Sequence, residues 1–462
     1  MQQNKLLELA KEYAVKYLND LPGKRAFPGE EALKNLQDLS IPLPRSSKDP
    51  GEVLKVLNTI GSDNTVASNG ARYFGFVFGG TLPAALAANW LAAAWDQNAV
   101  FKISSPISAQ LEKVAGSWLL NLLQLPAKSA VGFVTGTTMA NFCGVLAARH
   151  AIYQRKGWNA KLQGINGAPP IRIIVGEEIH ASMLRALMFA GFGSDSLIRV
   201  PTDKQGRIIA QKMPPMDDAT LVCLQAGNVN TGAIDPVKDI CTTARAREQG
   251  PWVHVDGAFG LWARVSQAKA ALAEGCDLAD SWAIDLHKWL NVPYDSGLII
   301  CRDPTLLQEA LSVSAAYLPD SVEPDPYFYT PEMSRRARGI ETWAALYSLG
   351  QKGVIELVER CCDYARLFAT NLGKAGFQIL NDVTLNQVLV SFGDAALTNR
   401  IIKKIQEDGT CWCGGTVWQG KTAVRISVSS WMTTADDIEK CSAVIIQIAN
   451  QEISSKKLNT TA

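Results

Sequence analysis

Residues 251–260 read PWVHVDGAFG, and residues 281–303 read SWAIDLHKWLNVPYDSGLIICRD. Each stretch opens with a short apolar run, and a polar residue follows where the run stops. Upstream, VGFVTG (131–136), IRIIVGEE (171–178) and ATLVCLQAG (219–227) show the same pattern, and helical stretches follow them. Strands that alternate with helices predict an α/β fold whose mostly parallel sheet is covered on both faces.

The texture of the chain predicts three segments. Residues 1–62 form an N-terminal arm that begins with an amphipathic helix, which packs either on a partner subunit or on its own domain. Residues 63–345 carry the alternating pattern and form the large domain. Residues 346–462 mix helices and strands in irregular order, which predicts a smaller C-terminal α+β domain.

Composition narrows the class of protein. The chain has 462 residues, which at about 150 residues per domain suggests roughly three units. Apolar residues make up 47% of the chain, enough for a buried core, and 19% charged residues argue against disorder. Lys and Arg number 45 against 44 Asp and Glu, so we expect no nucleic-acid partner.

The cysteines and the apolar runs indicate in which cellular compartment the protein resides. The ten cysteines are scattered and set no disulfide pattern, and Cys411 and Cys413 lack the second pair or histidine of a metal site. The N-terminus has mixed charge, unlike a secretory signal. The most apolar stretch, 82–95, is too short to span a bilayer and contains Asn89. We therefore expect a cytoplasmic protein with reduced thiols, no metal and no membrane contact.

Two residues after predicted strands suggest carbonyl chemistry. Lys288 follows an apolar run, and a poorly solvated lysine amine is a nucleophile that forms Schiff bases. Asp256 ends another run, where a carboxylate can pair with a protonated ring nitrogen such as that of pyridoxal phosphate (PLP). Taken singly, Lys288 could be a surface lysine and Asp256 a helix cap.

Two further strand ends carry suggestive residues. Gly136, Thr137 and Thr138 stand between a strand and a helix, where backbone N–H groups and hydroxyls form an anion site or simply a helix cap. His180 follows the next strand, and its ring either stacks on a cofactor or packs in the structure. All of these positions lie at strand ends, where ligands bind in open α/β sheets.

The chain order of these features is anion site, histidine, aspartate, lysine. Together with HVDGAFG (254–260), DLHKWLNVPYDSG (285–297), AGNVNTGAIDP (226–236) and SRRARGIETW (334–343), it resembles the group II PLP-dependent amino acid decarboxylases. The likeness extends over about residues 73–430. It implies PLP as cofactor, the aspartate aminotransferase-like fold of fold type I PLP-dependent enzymes, and a homodimer with the site at the interface.

The resemblance also implies roles for individual residues. Lys288 would form the Schiff base, Asp256 would pair with the pyridine nitrogen, and His180 would stack on the ring with Ala258 on the opposite face. The remaining cofactor-binding positions share polar or backbone contacts to PLP: Gly136, Thr137, Thr138, His287 and Asn228. Asn228 stands where many relatives have a threonine, which leaves its contact with cofactor or substrate open.

In the family, a loop near the second subunit's site supplies a tyrosine that protonates the carbanion. The corresponding stretch here lies between Tyr317 and Arg335, and Tyr327 and Tyr329 are the candidates. Both could instead simply pack. If neither tyrosine protonates the carbanion, oxidative side reactions that form aldehydes are favoured.

Substrate residues are expected in RYFGFVFGGTLP (72–83) and AVRISVSS (423–430). Phe78 and Gly79 would border an aromatic-lined pocket, which favours an aromatic or apolar substrate, or this stretch is a core strand whose aromatic residues simply pack. Arg72 could instead receive an acidic side chain, such as that of glutamate. Arg425 would meet the α-carboxylate or form a structural ion pair.

Three functions remain open at this point. The first is decarboxylation of an L-amino acid to the amine and CO2. The second is another PLP reaction on the same fold: transamination, aldehyde-forming oxidative deamination or a lyase reaction. The third is a non-catalytic relative that binds a ligand or partner, against which the joint presence of Lys288, Asp256 and His180 argues.

Overall fold

The computed structural model describes residues 3–247, 249–313 and 324–460, the last four by their backbone alone. They fall into two compact units. The first comprises Met1–Phe78, Tyr364–Leu380 and Val388–Ala462, and the second comprises Gly79–Asp363 and Asn381–Gln387. The three-segment division expected from the sequence remains a prediction.

The first unit begins with four helices. They are α1 (Gln3–Asp20), α2 (Glu30–Asn35), α3 (Pro50–Val56) and α4 (Ser62–Asn64). The side chain of Asp49 begins α3 by accepting the backbone N–H groups of Gly51 and Glu52. No residue of α1 is buried: most of its apolar side chains are half-buried, and those of Leu7 and Val15 are exposed.

The second unit is built on a seven-stranded sheet. Its strands are β1 (Ala130–Val134), β2 (Arg172–Gly176), β3 (Leu197–Val200), β4 (Thr220–Gln225), β5 (Trp252–Asp256), β6 (Ser281–Asp285) and β7 (Gly297–Cys301). Their order across the sheet is β1-β7-β6-β5-β4-β2-β3. Strand β7 runs antiparallel to both of its neighbours, and the other pairs are parallel. Six strands therefore end at one edge, which confirms the predicted mostly parallel sheet.

Further helices precede, connect and follow these strands along the chain. They are α5 (Pro83–Trp95), α6 (Pro106–Leu122), α7 (Thr137–Arg155), α8 (Ala160–Gln163), α9 (Ala181–Phe189), α10 (Val237–Arg245), α11 (Leu286–Trp289), α12 (Pro304–Leu311) and α13 (Gly339–Lys374), which is interrupted at Gly350. Small buried residues of α7, including Ala140, Gly144 and Ala148, let it lie close against the strands. Every residue of β5, β6 and β7 is buried, as expected of strands covered on both faces.

The C-terminal part of the first unit contains a small four-stranded sheet and two helices. Its elements are β8 (Gln378–Ile379), β9 (Gln387–Ser391), α14 (Ala395–Asp408), β10 (Gly414–Trp418), β11 (Lys421–Ser427) and α15 (Ala435–Thr460). The strands are ordered β10-β11-β9-β8. This arrangement confirms the predicted smaller α+β region. Among the described helices, none combines the length and the apolar character that a membrane span requires.

Candidate active site

Four predicted site residues lie at one edge of the large sheet. Thr137 begins the helix that follows β1, and His180 lies between β2 and α9. Asp256 is the last residue of β5, and Lys288 lies three residues beyond the end of β6. Because these four strands are parallel, their carboxyl ends share the edge at which α/β proteins bind ligands.

Lys288 lies on the single turn α11 and contacts a carboxylate. Its Nζ is 2.8 Å from Oδ2 of Asp285, and its amine lies 6.0 Å from the ring centroid of Phe259. The lysine side chain is 18% exposed, whereas that of Asp285 is 5% exposed. A mostly enclosed amine beside one carboxylate and one aromatic ring is well placed to react with a bound aldehyde.

The backbone of Lys288 is packed against residues 79 and 80. A Cβ atom at Gly79 would lie 1.9 Å from the carbonyl oxygen of Lys288, so only glycine fits there. Asn291 Oδ1 accepts the backbone N–H of Gly80 at 2.6 Å, and the carbonyl of Asn291 accepts the N–H of Leu82. These contacts hold residues 79–82, part of the predicted substrate-binding stretch, against the turn that carries Lys288.

The predicted anion site forms a tight cluster. The backbone N–H of Thr137 donates to Asp285 Oδ1 at 2.6 Å. A Cβ atom at Gly136 would be 3.1 Å from both Asp285 Oδ1 and His287 Cε1. Thr138, the next residue of α7, is only partly buried. Asp285 thus occupies the middle of the cluster and links it to Lys288.

Burial and charge set the ionisation of this cluster. Burial alone would raise the pKa of Asp285, but the charge of Lys288 and hydrogen bonds such as that from Thr137 outweigh it and hold this pKa below its ordinary value. Burial lowers the pKa of His287. Its Nδ1 accepts the N–H of Ser296 at 3.1 Å, so the proton of the neutral ring lies on Nε2, which is 3.5 Å from Asp285 Oδ1.

Unsatisfied hydroxyls show that this cluster suits a phosphate. Within the described residues, Oγ1 of Thr137 and Oγ of Ser296 are buried and have no hydrogen-bond partner. Thr137 is the first residue of a 19-residue helix, whose N-terminus favours an anion. A bound phosphate would supply the acceptors that both hydroxyls lack, so the residues fit the phosphate end of PLP.

Asp256 is the residue predicted to pair with the ring nitrogen of PLP. It is 5% exposed, and a small cavity that also reaches Gly176 and Cys223 opens beside it. Its Oδ2 accepts the side-chain amide N–H of Asn141 at 2.8 Å, and its Oδ1 accepts the backbone N–H of Ala258 at 3.2 Å. A carboxylate held in this way is suited to accept one more N–H, as from a pyridinium ring.

His180 and Asn228 both use their side chains locally. Nδ1 of His180 accepts the backbone N–H of Ser182 at 3.2 Å and so caps α9, while its ring stays half-buried. Oδ1 of the buried Asn228 accepts N–H groups from the next residues, closing its own turn. The predicted contacts of these two residues with PLP remain predictions.

The two candidate tyrosines lie in the turn Pro326–Tyr329. Tyr327 is buried edge-to-face against Phe101, with ring centroids 5.1 Å apart. Tyr329 packs by its carbonyl against Gly132 of β1 and belongs to the shell of the main core. Burial raises the pKa of both hydroxyls. Their described contacts are packing contacts and do not include Lys288, and Tyr317 lies outside the described residues.

The other predicted substrate residues belong to the first unit. The ring of Phe78 lies 5.7 Å from that of Tyr73 and 5.5 Å from that of Phe76. Arg425, on β11, has its guanidinium carbon 6.0 Å from the centroid of Phe76, and burial lowers its pKa. An arginine over an aromatic face is held by a cation–π contact.

Comparison with known proteins decides the family. The family model described as the pyridoxal-dependent decarboxylase conserved domain matches residues 66–393. The chain belongs to the pyridoxal-dependent decarboxylase family. This membership confirms the predicted enzyme class, a PLP-dependent amino acid decarboxylase, and it confirms the predicted cofactor.

Relatives in the family carry names of two substrate classes. An aromatic-L-amino-acid decarboxylase of Bacillus atrophaeus is 25% identical, over 93% of this chain and 92% of the relative. The acidic amino acid decarboxylase GADL1 of Xenopus tropicalis is 27% identical, over 76% of this chain and 70% of the relative.

Solved structures share the fold. The crystal structure of Oryza sativa TDC with PLP and tryptamine has a TM-score of 0.88 at 19% identity, with 97% of each chain covered. That of mouse CSAD in apo form has a TM-score of 0.87 at 20% identity, covering 96% of this chain and 98% of the other. These likenesses confirm the predicted fold type.

The structure adds residues that sequence reasoning missed. Asp285 contacts Lys288 and Thr137, Ser296 offers a free hydroxyl, and Asn141 donates to Asp256. One local signal was available for Asp285, because it ends an apolar strand and stands one helical turn before Lys288. Asn141 and Asp256 are 115 positions apart in the sequence, and no local sequence pattern predicts a contact between them.

Proposed function

We propose that this decarboxylase acts on an L-amino acid with an aromatic or apolar side chain and releases CO2 and the corresponding amine. The observation that carries the proposal is an aromatic cluster of Tyr73, Phe76, Phe78 and Trp412. The rings of Tyr73 and Trp412 stack at 4.9 Å, and those of Phe76 and Trp412 at 5.4 Å. Phe78 immediately precedes Gly79 in the sequence.

The backbone of this cluster is held in an unfavourable conformation. Phe76 and Val77 have φ of +55° and +61°, in the left-handed region that residues with a Cβ seldom adopt. Gly75 lies so close to Trp412 that a Cβ atom would be 2.2 Å from its ring. Strained backbone that packing enforces is concentrated at functional sites, which supports a role for this segment in binding.

The residues of the site divide the work of binding. Lys288 would hold the aldehyde carbon of PLP, Asp256 its ring nitrogen, and Thr137 with Ser296 its phosphate. When bound, PLP supplies an electron sink for the electron pair left by departing CO2. His180 would cover one face of the PLP ring. Arg425 would bind the α-carboxylate of the substrate, because a guanidinium can donate two parallel hydrogen bonds to one carboxylate.

An acidic substrate is the second candidate, because GADL1 is among the relatives. Such a substrate needs a free cation for its side chain. Arg72, the residue suggested for this role, instead donates to the carbonyls of Thr410 and Lys24 and lies 3.9 Å from Asp437. Its engagement in these contacts supports the aromatic or apolar class.

A product screen tests both the reaction and the substrate. Purified protein loaded with PLP is incubated with each common amino acid, and CO2, amine, aldehyde and keto acid are measured together. We expect CO2 and amine in equal amounts from one or a few aromatic or apolar substrates. Aldehyde or keto acid without amine would contradict decarboxylation as the main reaction, and turnover of glutamate alone would contradict the substrate class.

Single-residue variants test whether the aromatic cluster selects the substrate. Replacing Phe78 by alanine (Phe78→Ala) is expected to raise KM for the best aromatic substrate by about ten-fold or more, since one lost aromatic contact costs about 1–3 kcal/mol. Leu162→Ala, at a position 83% exposed on α8, serves as the control. Equal KM values for Phe78→Ala and the unmodified protein would show that the cluster does not select the substrate.

We further propose that the protein works as a homodimer in the cytoplasm. Apolar side chains of α1 and α5 are exposed in the single chain, among them Leu7, Val15, Trp90, Leu91 and Trp95. A second copy of the chain would cover such surfaces. All ten cysteines are buried free thiols, which supports a reducing compartment.

A further inference from the structure

A buried chain of hydrogen bonds runs from Asp256 into the interior of the second unit. Asn141 donates to Asp256 at 2.8 Å, and Oδ1 of Asn141 lies 2.9 Å from Nε2 of His254. Nδ1 of His254 lies 2.7 Å from Oγ of Ser281, to which Nε1 of Trp252 donates at 2.9 Å. Each of these residues is at most 5% exposed.

The donor and the acceptor of each hydrogen bond in this network can be assigned. A carboxylate only accepts, so the amide nitrogen of Asn141 faces Asp256 and its oxygen faces His254. His254 must therefore carry its proton on Nε2. Burial lowers the pKa of His254 to about 3, so its Nδ1 is bare at neutral pH and accepts the hydroxyl proton of Ser281. All donors point from Trp252 towards Asp256.

Helix α7 packs closely against the ring of His254. A Cβ atom at Gly144 of α7 would lie 2.5 Å from Cε1 and 2.6 Å from Nδ1 of His254. Gly144 stands one turn after Asn141 and approaches Cε1 and Nδ1 of the imidazole, the side that faces Ser281, whereas Asn141 contacts Nε2. Helix and strand together fix the ring between two partners.

Helix α7 carries contacts to both ends of the cofactor site. Thr137 and Asn141 are four residues apart and therefore lie on one helical face. Thr137 meets the cluster around Asp285, and Asn141 meets Asp256. The helix thus sets the spacing between the phosphate-binding groups and the carboxylate for the ring nitrogen.

We propose that Asn141 and His254 are positioning residues that hold the carboxylate of Asp256 in the orientation required to bind the ring nitrogen of PLP. The proposal rests on the role of Asp256 in the proposed function. Asn141 occupies Oδ2 and Ala258 occupies Oδ1, so the carboxylate cannot rotate without breaking a buried hydrogen bond. His254 in turn prevents the amide of Asn141 from turning over.

The test measures PLP binding and the absorbance spectrum of the bound cofactor in full-length variants. Asn141→Ala and His254→Leu remove the donors, whereas His254→Gln retains an N–H near the position of Nε2. We expect about ten-fold to hundred-fold weaker PLP binding for the first two, with an altered spectrum, because hydrogen bonds to charged groups are the strong ones. His254→Gln is expected to recover most of the affinity.

A matched control and a double variant separate positioning from simple destabilisation. Thr220→Val removes a partly buried hydrogen bond to Asp217 at the opposite edge of the same sheet and should leave PLP affinity and spectrum unchanged. In the Asp256→Asn background, Asn141→Ala should cost much less affinity than it does alone, since its effect passes through the carboxylate.

Several outcomes would overturn the positioning role. If Asn141→Ala and His254→Leu bind PLP with unchanged affinity and spectrum while Asp256→Asn does not, positioning by these residues is wrong and the role of Asp256 stands. The same conclusion follows if His254→Gln is no better than His254→Leu, or if the losses from Asn141→Ala and Asp256→Asn simply add. If Asp256→Asn itself binds PLP as the unmodified protein does, the assigned role of Asp256 fails, and this proposal fails with it.

Discussion

At the scale of single residues, Asp285 connects the two reactive parts of the site. One carboxylate oxygen pairs with the amine of Lys288, and the other accepts the first N–H of α7 from Thr137. A buried carboxylate is costly unless such partners satisfy it, and here both oxygens are occupied. The lysine amine is therefore held at a fixed distance from the N-terminus of α7.

Replacing this carboxylate by an amide tests its importance. Asp285→Asn retains an acceptor for Thr137 but loses the charge that faces Lys288. We expect the free energy of unfolding of the PLP-free protein to fall by about 1–3 kcal/mol, the cost of weakening hydrogen bonds between charged groups. Urea denaturation measures this change.

A surface ion pair provides the control for Asp285→Asn. Asp218 contacts Lys156 at 2.6 Å, but both side chains are about one-third exposed. Asp218→Asn should change the free energy of unfolding by less than about 1 kcal/mol, as is usual for exposed pairs. Equal effects of the two substitutions would mean that burial of the Asp285 pair adds nothing to stability.

At the scale of elements, strand β5 combines a fully buried sequence with a histidine at its centre. His254 is flanked by Val253 and Val255 and is completely buried. A neutral histidine in a strand core makes stability depend on pH, because the unfolded chain binds a proton that the folded chain does not. The sign of this dependence is fixed by the lowered pKa.

Acidification should destabilise the protein through His254. Its pKa is about 3 in the folded chain and about 6.5 when unfolded, so its contribution is complete above pH 6.5 and is lost as the pH falls towards 3. The full loss would be about 5 kcal/mol. Asp235, whose pKa burial raises to about 6, acts in the opposite direction between about pH 6 and 4 and offsets part of the loss.

Comparing variants isolates the contribution of the histidine. Urea denaturation of the PLP-free protein at several pH values between 4 and 7 gives the slope of stability against pH. His254→Gln, which cannot titrate, should remove up to about 1.4 kcal/mol per pH unit from this slope. An unchanged slope would show that His254 takes up no proton on unfolding.

The elements also show what could be predicted from the sequence. Apolar runs ending in polar residues located β1, β2, β4, β5 and β6 and hence the edge where the site lies. The antiparallel direction of β7 was not foreseen, since a buried strand has the same apolar pattern in either direction. Contacts such as Asn141 with Asp256 depend on how α7 packs across the sheet, which local spacing does not encode.

At the scale of the whole molecule, two exposed apolar side chains on α1 predict self-association. Leu7 is 59% and Val15 is 45% exposed, although both belong to a helix that the sequence identifies as amphipathic. Apolar helix faces left open in one chain are commonly closed by a second copy. We expect sedimentation of the PLP-loaded protein to show a particle of two 50.0 kDa chains.

Charges placed on α1 should separate the two chains. Leu7→Asp together with Val15→Asp would bury two carboxylates in the expected interface, and desolvation of unpaired charges should shift the protein towards monomer. Leu162→Asp adds a charge at a more exposed position outside this helix and should leave the dimer intact. Because the family resemblance implies a site at the interface, the separated chains should also lose activity. A monomer with full activity would show instead that one chain holds every group the reaction needs, and Tyr327 and Tyr329 would then have no role through the partner subunit.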